Sequence, residues 1–176
     1  MVRTALSAVA VRRDLLGPLL RLIVMDSAQR PTDQVSKIPT TTLAWGWVGV
    51  LPFATLSLAL LFGDTFIAGV ARQVLVPYAA IILTFMGGVH WGLEMRGAGR
   101  GSLLYNSGIF PSLVAVAALV LPVHLALLAL GVGFAGLLAF DLWMAQQGII
   151  PRWYSKLRIQ LTSAVLACLI VAGLAI

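Results

Sequence analysis

Six polar side chains lie inside or at the edge of apolar stretches of this chain, and whatever chemistry it has falls to them. His90 and Glu94 stand four residues apart in Phe85-Met-Gly-Gly-Val-His-Trp-Gly-Leu-Glu-Met-Arg96. On a helix that spacing puts both on one face, about 6 Å apart along the axis. Asp141 belongs to a later apolar run, and Tyr105, Asn106 and Arg158 enter theirs at a comparable depth. Together they outline a polar pocket opening inward. A histidine there can ligate a metal, hold a quinone carbonyl, or pass a proton to Glu94 or Asp141. The plainer reading is interhelix glue. Glu94 and Asp141 then pair with Arg96, Lys156 or Arg158, and His90 bonds a neighbouring backbone group or Tyr105. Charges near the headgroups cost little, because long side chains snorkel, and this favours the plainer reading.

Other chemistries find no footing. His124 falls near the far end of its run, so it cannot share a haem iron with His90. No known metal-site spacing contains His90, Glu94 and Asp141. No nucleophile stands beside its base in a recognisable motif, and there is no Gly-rich phosphate loop or zinc-protease signature. No catalytic residue or metal site is therefore expected, and the sequence leaves any cofactor open. The lone Cys168 forms no intrachain disulfide. Thr55, Ser57, Thr84, Thr162 and Ser163 are expected to hydrogen-bond their own helices.

The elements that must position these residues follow from composition. Of 176 residues, 60% are hydrophobic and 10% charged, against about 25% charged in soluble domains. Mean hydropathy is +1.00. Apolar runs near twenty residues make this an integral membrane protein. The runs are continuous rather than alternating, so the class is all-α and polytopic, not a barrel. The net charge of +6 resides in a tail and short connections, where threading explains it without a nucleic-acid partner.

Residues 1–40 form a basic tail. Within it, residues 1–24 read as a leader, an amphipathic surface helix, or an extension upstream of a start at Met25. Residues 41–176 hold five expected spans. These are Thr41–Phe62, Gln73–Met95, Leu103–Leu121, Val123–Gln146 and a last one from Arg158 to Ile176. A ten-residue connection, Gly63 to Arg72, separates the first two, and Pro77 falls in a first turn. Gly148 suits a helix C-cap and Pro151 a restart.

Basic residues set the orientation. Six lie in residues 1–40, Arg96 and Arg100 in one loop, and Arg152, Lys156 and Arg158 in another; Arg72 alone is opposite. The N-terminus is expected inside and the C-terminus outside. Trp45, Trp47, Trp91, Trp143, Trp153 and Tyr154 are expected as anchors at the inner interface, and Tyr78 at the outer. Gly87, Gly88 and Gly92 offer a helix-packing surface, with the small stripe Gly131, Ala135 and Ala139 as its partner or another subunit in that role.

Three strings carry a family resemblance: Phe85-Met-Gly-Gly-Val-His-Trp-Gly92, Pro111-Ser-Leu, and Gly148-Ile-Ile-Pro-Arg-Trp-Tyr-Ser-Lys-Leu-Arg158 before Leu161-Thr162. From about Ile38 onward the chain resembles the domain-of-unknown-function family typified by mitochondrial transmembrane protein 69. The resemblance implies five spans in a bacterial or mitochondrial inner membrane; with the family's activity unassigned, it transfers no catalytic residues and leaves the chemistry open. The expected function is a non-enzymatic accessory or assembly protein, held in the lipid bilayer against other subunits of a larger respiratory or photosynthetic complex. The alternative is a protein that binds or transports a quinone, lipid or proton-coupled solute through the His/Glu/Asp cluster.

Overall fold

A computed structural model describes residues 37–176; the expectations for residues 1–24, and all but the end of the tail, lie outside it. Five helices follow: α1 (Thr40–Phe62), α2 (Thr65–Met95), α3 (Ser102–Val120), α4 (Val123–Gln146) and α5 (Arg152–Ala175). All five are long and apolar enough to cross a membrane. The protein is a multi-pass, all-α membrane protein.

Two boundaries differ from expectation. The ten-residue connection before α2 is two residues, Gly63 and Asp64. Asp64 ends no span; it starts one. Its carboxylate accepts the Ile67 N–H at 2.8 Å, satisfying one of the donors that a helix start leaves open. The apolar residues after it extend α2 to 31 residues, and Pro77 sits in its interior rather than its first turn. The second difference is α5. Pro151 is its N-cap, so Arg152, Lys156 and Arg158 are helical, and Arg158 lies nearly two turns inside.

The two longer loops close in the same way. Gly97 (φ 86°) and Gly148 (φ 70°) follow the last turns of α2 and α4 in the left-handed region. Gly97 N–H donates to Glu94 O and Ala98 N–H to Leu93 O; Gly148 N–H donates to Ala145 O and Ile149 N–H to Met144 O. These paired bonds satisfy carbonyls left over at a helix end, and they need a residue that adopts positive φ cheaply.

Each helix packs on the next, and α5 returns to α1, while α2 also touches α4. α1 and α5 run parallel. Near one end a Cβ on Gly46 would lie 2.7 Å from Leu161, and further along Ser57 Oγ donates to Cys168 O at 2.9 Å. Ser57 thus bonds across the bundle and not within its own helix, because it is buried against α5. Thr55 does bond its own helix, at Leu51 O and Pro52 O.

The core is a stack of Phe53, Leu75, Leu83, Leu130 and Phe134. Phe53 meets Tyr78 and Phe134 edge-on at 5.0 and 6.1 Å. Tyr78 packs between helices, with its hydroxyl donating to Gly49 O at 2.8 Å; it is tied to the bundle and not free as an interfacial anchor. The outer surface is apolar, with Leu51, Ile81, Phe85, Phe110, Leu128 and Val132 all exposed. That pattern suits a hydrocarbon solvent, whose helices satisfy their own backbones and turn apolar side chains outward.

The close helix approach falls at Gly87, not at the Gly88/Gly92 pair. A Cβ on Gly87 would lie 2.6 Å from Gly108 O, and one on Gly108 would lie 2.9 Å from Gly87 O. α2 and α3 therefore meet backbone to backbone there. Gly88 and Gly92 have open space where a Cβ would be, and Gly131 touches only Leu166. Ala135 and Ala139 are exposed. Neither glycine of the α2 stripe meets the α4 stripe.

Candidate functional site: a buried histidine–aspartate–arginine array

Four helices meet at one level. α2 presents His90 and, one turn back on the same face, Met86. α3 presents Ser107, α4 Asp141 and α5 Arg158. His90, Asp141 and Arg158 are 1%, 1% and 3% exposed. The backbone contact at Gly87 and Gly108 brings α3 close enough for Ser107 to reach the imidazole.

Asp141 is the hub. Its Oδ1 lies 2.9 Å from His90 Nε2, and its Oδ2 accepts from Arg158 Nε at 2.5 Å. Arg158 Nη1 lies against Met86 Sδ. The other imidazole nitrogen, Nδ1, is 3.0 Å from Ser107 Oγ, and that hydroxyl is also 3.0 Å from Leu104 O. Phe140 covers the imidazole with ring centres 5.1 Å apart. A lone charge in this setting costs several kcal/mol, so each member needs the others.

The single hydroxyl proton of Ser107 links the site to the state of His90. Asp141 accepts only, so Nε2 carries a proton. When Nδ1 is bare, Ser107 donates to it. When Nδ1 is protonated, it donates to Ser107 Oγ, and the hydroxyl turns to Leu104 O. In both states the two imidazole nitrogens and the Ser107 hydroxyl all have partners. As a nucleophile Ser107 is poorly served, since the backbone N–H groups of its helical turn are already engaged along α3.

The array touches two apolar clefts. Ser107 lines a groove of about 890 Å³ between α3 and α4, with Asn106 at its polar end. Arg158 lines a smaller cleft of about 370 Å³ bounded by α1, α2, α4 and α5. Arg158 Nη2 and Thr162 Oγ1 are buried without a hydrogen-bond partner among the described residues.

Of the six residues expected in the pocket, three meet: His90, Asp141 and Arg158. Glu94 does not join them. It stands in the last turn of α2, where Oε2 accepts the Arg100 N–H at 3.0 Å and fixes the α2–α3 loop. Tyr105 offers its carbonyl to Trp91 Nε1 at 3.0 Å, and its ring meets the indole edge-on. Asn106 is exposed on the groove side. Among the aromatic residues expected as anchors, Trp45, Trp47, Trp91 and Trp143 are exposed; Trp153 and Tyr154 are partly covered, edge to face with each other.

Sequence reasoning missed Ser107, Met86 and the role of Thr162. Two of these carry a legible signal, because Met86 precedes His90 by four residues and Thr162 follows Arg158 by four. Ser107 has none. It depends on the approach of α3 to α2.

No curated protein matches the chain, and no solved structure does. A family model does, though it does not itself tie the family to mitochondrial transmembrane protein 69. Residues 38–174, which take in all five helices almost completely, match the model of the family described as "Protein of unknown function (DUF3429)", and the chain belongs to that family.

Proposed function

We propose that the protein binds a small, largely apolar molecule within the membrane, without transforming it, and that the His90–Asp141–Arg158 array is the polar end of its site. The carrying observation is that the array is buried across three helices yet borders two apolar clefts, through Ser107 and Arg158. Glue alone needs no such openings. Intramembrane ionisable groups mark ligand and proton paths more often than they mark simple packing. The ligand class is a quinone, a lipid or a proton-coupled solute. The setting is a bacterial cytoplasmic membrane, or the mitochondrial inner membrane in a eukaryote, with the N-terminus inside. The grouping of the basic residues supports that orientation.

Organic extraction of the protein purified in mild detergent tests this. Mass spectrometry is expected to find a lipophilic molecule at near-stoichiometric amount, lost in His90→Ala. Protein free of any such molecule, from several growth conditions, would count against the reading.

A second reading, an accessory subunit of a larger membrane complex, is favoured by one observation. Among the described residues, a Cβ at Gly88 or Gly92 would meet nothing within 4 Å, so α2 keeps a small-residue face that none of them uses. Under this reading Gly88→Leu strips co-purifying subunits from the protein, while His90→Ala leaves them bound.

A further inference from the structure

Arg158 and Thr162 stand four residues apart on one face of α5, and both line the cleft beside α1. Arg158 spends Nε on Asp141 and Nη1 on Met86. Nη2 and the Thr162 hydroxyl have no partner among the described residues, although the two residues are 3% and 2% exposed. Buried polar groups are almost always satisfied, so two unsatisfied donors side by side on a cleft wall call for an acceptor. Five aromatic side chains line the same cleft: Trp45, Phe53, Phe85, Phe134 and Tyr154.

Charge narrows the acceptor. Asp141 already neutralises Arg158. A carboxylate or phosphate would add an uncompensated negative charge next to Asp141, at a cost that burial makes large. A neutral carbonyl oxygen accepts both hydrogen bonds and adds no charge. Aromatic walls favour a flat, conjugated body. A volume of about 370 Å³ is at the low end for small-molecule sites, suiting one ring system with a short substituent inside and the remainder in the bilayer.

We infer that the cleft between α1 and α5 holds the ring of a quinone-class molecule, with one ring carbonyl accepting from Arg158 Nη2 and Thr162 Oγ1. This rests on the intramembrane-binding reading and adds the place, the donors and the ligand class. It moves the ligand's polar contact from His90, where the sequence suggested it, to the far side of Asp141. His90 is left as a proton-holding neighbour.

The test uses the full chain in phosphatidylcholine nanodiscs and a radiolabelled benzoquinone with a short alkyl tail. Saturable one-site binding is expected. Thr162→Val keeps shape and removes one donor, and one hydrogen bond is worth about 0.5–1.5 kcal/mol, so affinity should fall by roughly 2- to 13-fold. Ile82→Trp, which fills the cleft, should abolish binding, whereas Leu128→Trp, which fills the α3–α4 groove, should leave it unchanged. These variants spare Arg158, whose replacement would also disturb folding. Unchanged affinity in Thr162→Val overturns the assignment of the donors. Competition by a fatty acid or a diacylglycerol but not by unlabelled quinone overturns the ligand class. Loss of binding in Leu128→Trp with retention in Ile82→Trp overturns this site and leaves intramembrane binding standing. Protein that neither binds the probe nor carries any extracted lipophile overturns both.

Discussion

Asp141→Asn is the sharpest test of the array, because it removes a charge and nothing else. The amide has the same shape, and its hydrogen bonds can all be kept. Its oxygen accepts from Arg158 Nε. Its NH2 donates to His90 Nε2, provided the imidazole moves its proton to Nδ1. Nδ1 then donates to Ser107 Oγ, which donates to Leu104 O, using the contacts already in place. Only the compensation of Arg158 is lost. For unit charges about 4 Å apart at an effective dielectric near 20, that is about 4 kcal/mol. Breaking buried pairs from one side costs about 3–5 kcal/mol in general. Arg158→Met strips the same pair from the other side, leaves a buried carboxylate without its cation, and should likewise cost about 3–5 kcal/mol. The double variant carries no charged pair and should lie within about 2 kcal/mol of the wild type. The assay is equilibrium unfolding in dodecylmaltoside with added SDS, followed by circular dichroism. A double variant less destabilised than Asp141→Asn alone is the expected outcome. Costs that simply add would refute the pairing, and so would Asp141→Asn behaving as wild type.

Three further outcomes follow from local geometry. Gly108→Val must push α2 and α3 apart, since a Cβ there already falls 2.9 Å from the backbone Gly87 O and runs into the Trp91 indole; overpacking of this kind costs about 1–3 kcal/mol, while Gly88→Ala in the same unfolding assay should be neutral for the isolated chain. Asp64→Ala removes the cap that starts α2 and should cost about 1 kcal/mol, with amide exchange faster from Thr65 to Ala68 and unchanged past Leu75. Tyr78→Phe breaks the bond to Gly49 O and should cost roughly 1 kcal/mol, read as a lower midpoint of thermal unfolding in detergent.

Much of the fold is legible in the sequence because a bilayer allows so few solutions. Continuous apolar runs must be helices, and Pro122 leaves room for nothing but a tight return between α3 and α4. The errors came where local chemistry overrode hydropathy. Asp64 and Arg72 bracket a mostly apolar stretch of seven residues that looks like a connection beside two charges, but Asp64 is a cap, and one arginine on a long helix is easily carried. Arg158 reads as an interfacial cation by its company with Arg152 and Lys156. Only the helix start at Arg152, set by Pro151, turns it to the interior. Glycine spacing misled for a related reason. Gly88 and Gly92 have the textual pattern of a contact, yet Gly87 holds the inward face, as the i, i+3 step from Gly87 to His90 shows once His90 is known to be buried. Ser107 lay beyond reach, since a partner on another helix follows from helix approach and not from spacing.

α2 has one more consequence. Its 31 residues make about 46 Å of helix, where the hydrocarbon layer is about 30 Å thick. Its neighbours, of 19 to 24 residues, span about 29–36 Å and fit without adjustment. One stave of the barrel-like ring is thus too long. It must lean steeply or stand proud of the lipid by some two to three turns. In a thin bilayer the overhang grows, and in a thick one it is drawn in. Because the same rigid helix carries Gly87 and His90 near its other end, the lipid's thickness presses directly on the seat of the imidazole.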